Sequence, residues 1–254
     1  NVMSTASIAK KSKKEKGENK VFAVLQRIGR ALFLPVSLLP AAGILLGIGA
    51  SFTNATTISS YGLEWLLGEG TLLNAILQIF SSVGNAVFGN LPLLFAMGVA
   101  LGMATNEKAV AVMSSGLSFI IMHTTINVML KLNGKILPDG SLAADVVDGT
   151  IAEVLGIRTL EMGVFGGIIT GLIVAFLHNR FYKTQLPAAL SFFAGVRFVP
   201  IICTVSFVFI GTAMFFVWPF VQSGINSLGN LIAGTGNVGL FIYGVCDRLG
   251  IPFG

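Results

Sequence analysis

Apolar residues along this chain come in long runs that charge interrupts only at intervals, and the runs outline its architecture. Residues 1–20 are polar, Lys-rich and without periodicity, so they read as a disordered tail. Val21, Leu25, Ile28 and Leu32 then recur at helical spacing with Arg27 and Arg30 between them, the pattern of a helix lying at headgroup level. Residues 31–52 carry no charge and match the roughly 20 residues that cross a bilayer core. Uncharged or nearly uncharged segments follow at 70–106, 109–130, 162–178 and 198–220, and the last, 237–254, is broken only by Asp247 and Arg248. The pattern predicts an all-α, polytopic integral membrane protein with six or seven transmembrane helices and interfacial amphipathic helices.

The connecting loops differ in charge. Residues 53–69 hold Glu64 and Glu69 without a cation, and 131–160 is acidic, whereas Lys108, Arg180, Lys183 and Arg197 border the alternate ends. Basic loops stay in the cytoplasm, which places the N-terminus there too. Residues 70–106 allow two readings: two short crossings, or one crossing over 88–105 preceded by an interfacial or re-entrant piece. The single crossing is preferred, because it keeps Lys108 on the same side as Arg180, Lys183 and Arg197.

Leu186, Ala189, Leu190 and Phe193 share one helical face, as a surface connector between two bundles requires. The expected organisation is therefore a basic cytoplasmic tail over 1–20, a helical bundle over 21–183, a connector over 184–197 and the start of a second bundle over 198–254. Trp218 and Pro219 should mark the far interface, with Ile225, Leu228 and Ile232 on a short amphipathic turn beyond it.

Composition agrees with the pattern: 54% of residues are hydrophobic and 11% charged, against about 25% charged in soluble proteins. The net charge of +5 comes from residues 10–30, which hold eight Lys or Arg and two Glu, so nucleic-acid binding is not indicated. A secretory signal peptide also pairs a basic region with an apolar one, but the length and prolines of this one argue against it. Cys203 and Cys246 lie in apolar runs and form neither a disulfide framework nor a metal spacing. No phosphate-binding loop or His-Glu helix signature is present, and Asn54-Ala-Thr56 is too short a motif to carry weight. Among 31 glycines, the pairs Gly43 and Gly47, Gly98 and Gly102, and Gly167 and Gly171 are spaced for close helix approach.

Few polar residues interrupt the spans. His123, beside Met122, Thr124 and Thr125 with Asn127 one turn on, is either a proton relay or sugar contact, or a buried structural histidine; the structural role is favoured. His178 reads as an interfacial anchor. Asn85, Asn90 and Pro92 break a helix, either to line a cavity or simply to turn the chain. Arg197 is either a headgroup anchor or part of a hinge or docking loop.

Asp247 and Arg248 follow 49 residues, 198–246, that contain no Lys, Arg, Asp, Glu or His. A charge in an apolar helix costs about 2.5–3.5 kcal/mol on insertion scales, and neighbours about 100° apart on a helix cannot pair well. Each needs its own partner. A guanidinium with five planar donors suits sugar hydroxyls or a carboxylate, and Pro252 and Gly254 leave backbone open beside it. A structural ion pair is the alternative.

Four stretches taken together carry a resemblance: Leu34-Pro-Val-Ser-Leu-Leu-Pro-Ala-Ala-Gly-Ile-Leu-Leu-Gly-Ile-Gly49, Asn90-Leu-Pro-Leu-Leu-Phe-Ala-Met-Gly-Val-Ala-Leu-Gly102, Asn179-Arg-Phe-Tyr182 with Gly195-Val-Arg-Phe-Val-Pro-Ile201, and Asp247-Arg-Leu-Gly-Ile-Pro-Phe-Gly254. In this order they resemble enzyme IIC, the membrane permease of bacterial sugar phosphotransferase systems, in its glucose, maltose and N-acetylglucosamine group. Asn133-Gly-Lys-Ile-Leu-Pro-Asp139 and Leu155-Gly-Ile-Arg-Thr-Leu-Glu-Met-Gly163 look most like the maltose and glucose branches.

The resemblance implies a homodimeric permease of the bacterial inner membrane. It would bind maltose or glucose outside and carry it inward by alternating access. A phosphocysteine on a IIB domain, supplied by IIA, would then phosphorylate the sugar. It implies no cofactor and no metal. It places Arg248, with Asp247 beside it, at the sugar, and Arg197 and Phe198 in a loop that couples transport to phosphorylation. The family's Pro-Phe-Gly is followed by Leu-His-His and a later Glu, all beyond Gly254, so the catalytic residues are unknown and these 254 residues alone are expected not to transport. No phosphocysteine motif surrounds Cys203 or Cys246. The alternatives are a non-phosphorylating secondary or passive sugar transporter and a sugar-sensing membrane scaffold.

Overall fold

A computed structural model of the chain describes residues 22–24 and 26–234. The expectations for the tail 1–20, for the apolar segment 237–254 and for Asp247 and Arg248 lie outside the described residues.

Helix α1 (26–36) runs to a break at Ser37 and Leu38. Helix α2 (Leu39–Thr53) restarts with Pro40 in its first turn, where the missing N–H costs nothing. Two short helices follow, α3 (Ala55–Ser60) and α4 (Glu64–Leu67). The Asn54 side chain caps α3 by accepting from the Thr56 and Thr57 amides at 2.9 and 3.3 Å, so the Asn-Ala-Thr triplet is here a helix start. Helix α5 (Leu72–Gly89) begins on the Thr71 hydroxyl and stops at Asn90, and α6 (Leu91–Met103) resumes with Pro92 in its first turn.

Helix α7 (Lys108–Leu132) leads through a long loop to strands β1 (Ile151–Val154) and β2 (Ile157–Leu160), then α8 (Gly163–Phe181). Two 3₁₀ turns, Ala188–Phe193 and Gly195–Arg197, precede the 37-residue α9 (Phe198–Gly234). Among the described residues five helical stretches are long and apolar enough to cross a membrane, while α6 has 13 residues. The chain is an all-α polytopic membrane protein with one small β-hairpin.

Close contacts fix the direction of each helix. Gly98 and Gly102 face Pro35 and Ala31, so α6 runs antiparallel to α1; Gly84 faces Leu46 and Gly49 faces Ser81, so α5 runs antiparallel to α2. The α1–α2 and α5–α6 segments therefore lie side by side and both break at the same level. Helices α5 and α6 meet at Asn90, and α5 alone is an 18-residue helix apolar enough to cross a membrane. Gly167 and Gly171 admit the Pro92 and Ala96 carbonyls, which brings α8 alongside α6 in the same direction. Helix α9 packs along α7, burying Val199, Cys203 and Phe207 with Phe119 and Met122.

Several expectations change. Gly43 and Gly47 have no neighbour within 4 Å of where a side chain would begin, so the close approach in that helix uses Gly49 instead. Trp218 turns inward: it is 4% exposed and donates its indole N–H to the Glu161 carbonyl at 2.8 Å, beside the loop that precedes α8. The turn expected over 225–232 is the continuation of α9, which passes through Pro219. The connector is 3₁₀ rather than α, and its three-residue repeat still puts Leu190 and Phe193 on one exposed side.

Sequence reading did not anticipate the hairpin. Its two-residue turn holds Leu155 at φ 53° and Gly156 at φ 75°, the left-handed pair that matches strand twist. Antiparallel pairing sets Val154 against Ile157 and Ala152 against Thr159.

Candidate functional site

The described part of the predicted site is the segment joining α8 to α9, and it is held by a polar clamp. Asn179 accepts from both the amide and the hydroxyl of Thr105 at 2.9 Å and donates to the Met103 carbonyl at 3.0 Å. One side chain thus closes the C-terminus of α6 and the turn that follows it. His178 is fully buried, where an interfacial anchor was expected; its Nε2–H donates to the Asn106 carbonyl at 2.6 Å, and its ring stacks on Tyr182. Asn106 in turn donates to the Tyr182 hydroxyl at 2.8 Å. Glu107 follows at φ 44°, a strained conformation that the clamp holds before α7 begins.

From this clamp the connector leaves and returns. The Gly195 amide donates to the Thr184 carbonyl at 2.8 Å, closing the segment into a loop, and Gly195 adopts φ 67°, which suits a residue without a Cβ. Arg197 donates to the Phe192 carbonyl at 3.1 Å with its guanidinium 4.7 Å from the Phe192 ring centre. The side chain is exposed, so its remaining N–H groups face outward in the planar geometry that carboxylates and phosphates accept. Phe198 packs edge-on against Phe181 with centroids 6.1 Å apart, tying the start of α9 to the end of α8. Arg197 thus ends the loop and Phe198 opens α9.

Residues 29–254 match the family profile described as "Phosphotransferase system, EIIC". The chain belongs to the EIIC family. It is 43% identical over 245 residues to a protein named "PTS system glucoside-specific EIICBA component" from Staphylococcus carnosus strain TM300. It is 40% identical over 237 residues to a "PTS system glucose-specific EIICBA component" from Staphylococcus saprophyticus. Each match covers 92% of this chain and 34% and 33% of the relative, so the EIIC chain spans about a third of the length of these proteins.

Other predicted polar residues of the EIIC chain fall elsewhere. His123 is buried in α7, with Nδ1 3.0 Å from the Thr159 hydroxyl of β2 and its ring edge-on to Phe119. It bonds a neighbouring element, as a structural histidine does, while its Nε2 has no partner. Asn90 donates to the Ala86 carbonyl at 2.7 Å at the α5–α6 break, and the Pro92 carbonyl lies against Gly167, where α6 meets α8. Among the described residues no cluster of His, Cys, Asp or Glu is assembled to hold a metal.

The clamp was missed from sequence, although His178, Asn179 and Tyr182 form a polar edge on an otherwise apolar helix end. Their partners lie more than 70 positions upstream.

Proposed function

We propose that this EIIC chain is part of a sugar permease that binds a gluco-configured sugar outside a bacterial inner membrane and delivers it inward for phosphorylation by a IIB phosphocysteine. Family membership over residues 29–254 carries the reading. The relatives are named as EIICBA proteins for glucose and for glucosides, which supports IIB and IIA as partners and a glucopyranose ring as the recognised unit; maltose is itself a glucoside. The chemistry asked of the permease is positioning. A sugar hydroxyl must be held in line with the phosphoryl donor while charge spreads over the transferred oxygens.

Arg27, Arg30, Lys108, Arg180, Lys183 and Arg197 lie toward one end of the bundle with Glu107, and the other loops carry mostly Asp and Glu. The basic end is assigned to the cytoplasm, beside anionic lipid. On that side Arg197 and Phe198 form the coupling loop, with the free guanidinium N–H groups turned toward a phosphorylated partner. Arg248, with Asp247, is assigned to the sugar. Residues 21–183 form the dimerisation bundle, 184–197 the connector, and 198 onward the sugar-binding bundle, with α9 as the wall they share. The α2–α5 pair supports a homodimer: Ile44, Phe52 and Ile79 are exposed, and Gly43 and Gly47 are uncovered.

Calorimetric titration of glucose and methyl α-glucoside into the intact protein tests the site. Arg248→Ala should abolish measurable binding at normal expression, and unchanged affinity would remove Arg248 from the sugar site.

A further inference from the structure

We propose a second, peripheral sugar site, a cavity at the end of the bundle opposite the basic loops, which takes a neutral glucopyranoside before it reaches the translocation site. The inference rests on the permease reading and orientation above. The cavity, about 340 Å³, lies between the end of α7, the loop before β1, the hairpin and the C-terminal half of α9. Its volume falls within the range of roughly 300–1,000 Å³ in which small-molecule sites occur.

Its lining mixes apolar and polar groups. Phe215 and Pro219 of α9 form an apolar wall with Leu160 of β2. The rim carries Lys135, Asp145, Gln222 and Asn226. Lys135 pairs with Asp145 across the loop, and its hydrogen bond holds the Asp145 carboxyl below the usual carboxylate range, so the pair is ionised and the rim is neutral as a whole. Gln222 donates to the Gly149 carbonyl at 3.1 Å, which fixes that side chain and leaves its oxygen available.

One stripe of α9 thus offers an aromatic ring, a proline and two amides, across from the ammonium and carboxylate of the loop. A pyranose matches both sides, with hydroxyls at its edge that donate and accept and C–H groups on its face. The paired charges leave no net charge to draw an ionic ligand, and a purely apolar one leaves the polar groups without partners.

The test uses the intact protein in right-side-out vesicles, with Ser223→Cys at the cavity edge labelled by a membrane-impermeant maleimide and compared with the parent chain. Methyl α-glucoside should slow labelling several-fold, glucose 6-phosphate should not, and Asn226→Leu should raise the protecting concentration about five-fold, the loss expected for one hydrogen bond. If the cavity binds on its own, as proposed, protection should persist in Arg248→Ala. Labelling that methyl α-glucoside leaves unchanged while uptake proceeds would overturn the cavity site and leave the permease reading intact. Protection that disappears in Arg248→Ala would also overturn it, by tracing the effect to the other site. Protection without any uptake would support the cavity and count against the permease reading.

Discussion

His123 and Thr159 show how a buried polar residue is made tolerable. Each is almost or wholly buried and each supplies the other with a partner, across 36 positions of sequence. Thr159→Val keeps the shape but leaves both imidazole nitrogens unpaired, so it should destabilise the protein by about 1–3 kcal/mol. Thermal unfolding in detergent, followed by circular dichroism, checks this, and glucoside affinity should be unaffected. Leu155 offers the opposite change. Its φ of 53° is uncommon for a branched residue, whereas Asn tolerates it, so Leu155→Asn should raise the midpoint by about the equivalent of 1 kcal/mol. At this scale the sequence marked His123 as a buried structural residue but did not show its partner, because hairpin and helix meet only in three dimensions. His178 was misplaced for the same reason: position near a helix end suggested an interface, and the 104–107 turn that covers it could not be seen.

Whole helices were more legible, since uncharged runs of membrane length are strong signals. The spans expected at 109–130 and 162–178 match α7 and α8 within about three residues at each end. Breaks and partners were less so. Asn90 was recognised as a break, but the pairing of α5 with α2 and of α6 with α1 on either side of it is set by tertiary packing. The glycine pairs are similar: all three have the right spacing, and only tertiary packing decides that Gly167 meets the Pro92 carbonyl while Gly43 faces open space. Gly167→Ala should therefore force α6 from α8 at a cost of about 1–3 kcal/mol. Gly43→Ala should leave the protomer's thermal stability within about 0.5 kcal/mol of the parent. Comparing the two melting curves separates packing from spacing. The hairpin was overlooked because four-residue strands inside an acidic loop give too little alternation to stand out.

For the whole molecule, the distribution of charge and the α2–α5 pair lead to the remaining expectations. If Gly43 and its exposed neighbours meet a second protomer, Gly43→Leu should convert the purified dimer to monomer in cross-linking or light scattering without lowering the protomer's helix content. The membrane class and the family were legible in the sequence, whereas the proposed sugar site was legible only as the charged pair Asp247 and Arg248, which lies outside the described residues. The loop between α8 and α9 was legible as a motif, and its closed shape became apparent only with Gly195 bonded back to Thr184.

The central claim is that sugar entry and phosphorylation are one process. Its most direct test is the chemical form of labelled methyl α-glucoside recovered from right-side-out vesicles containing the intact protein, with and without an internal phosphorelay. Coupled translocation predicts that the label accumulates as the sugar phosphate when the relay is present and scarcely enters without it. Accumulation of the free glucoside at the same rate in both preparations would contradict the account.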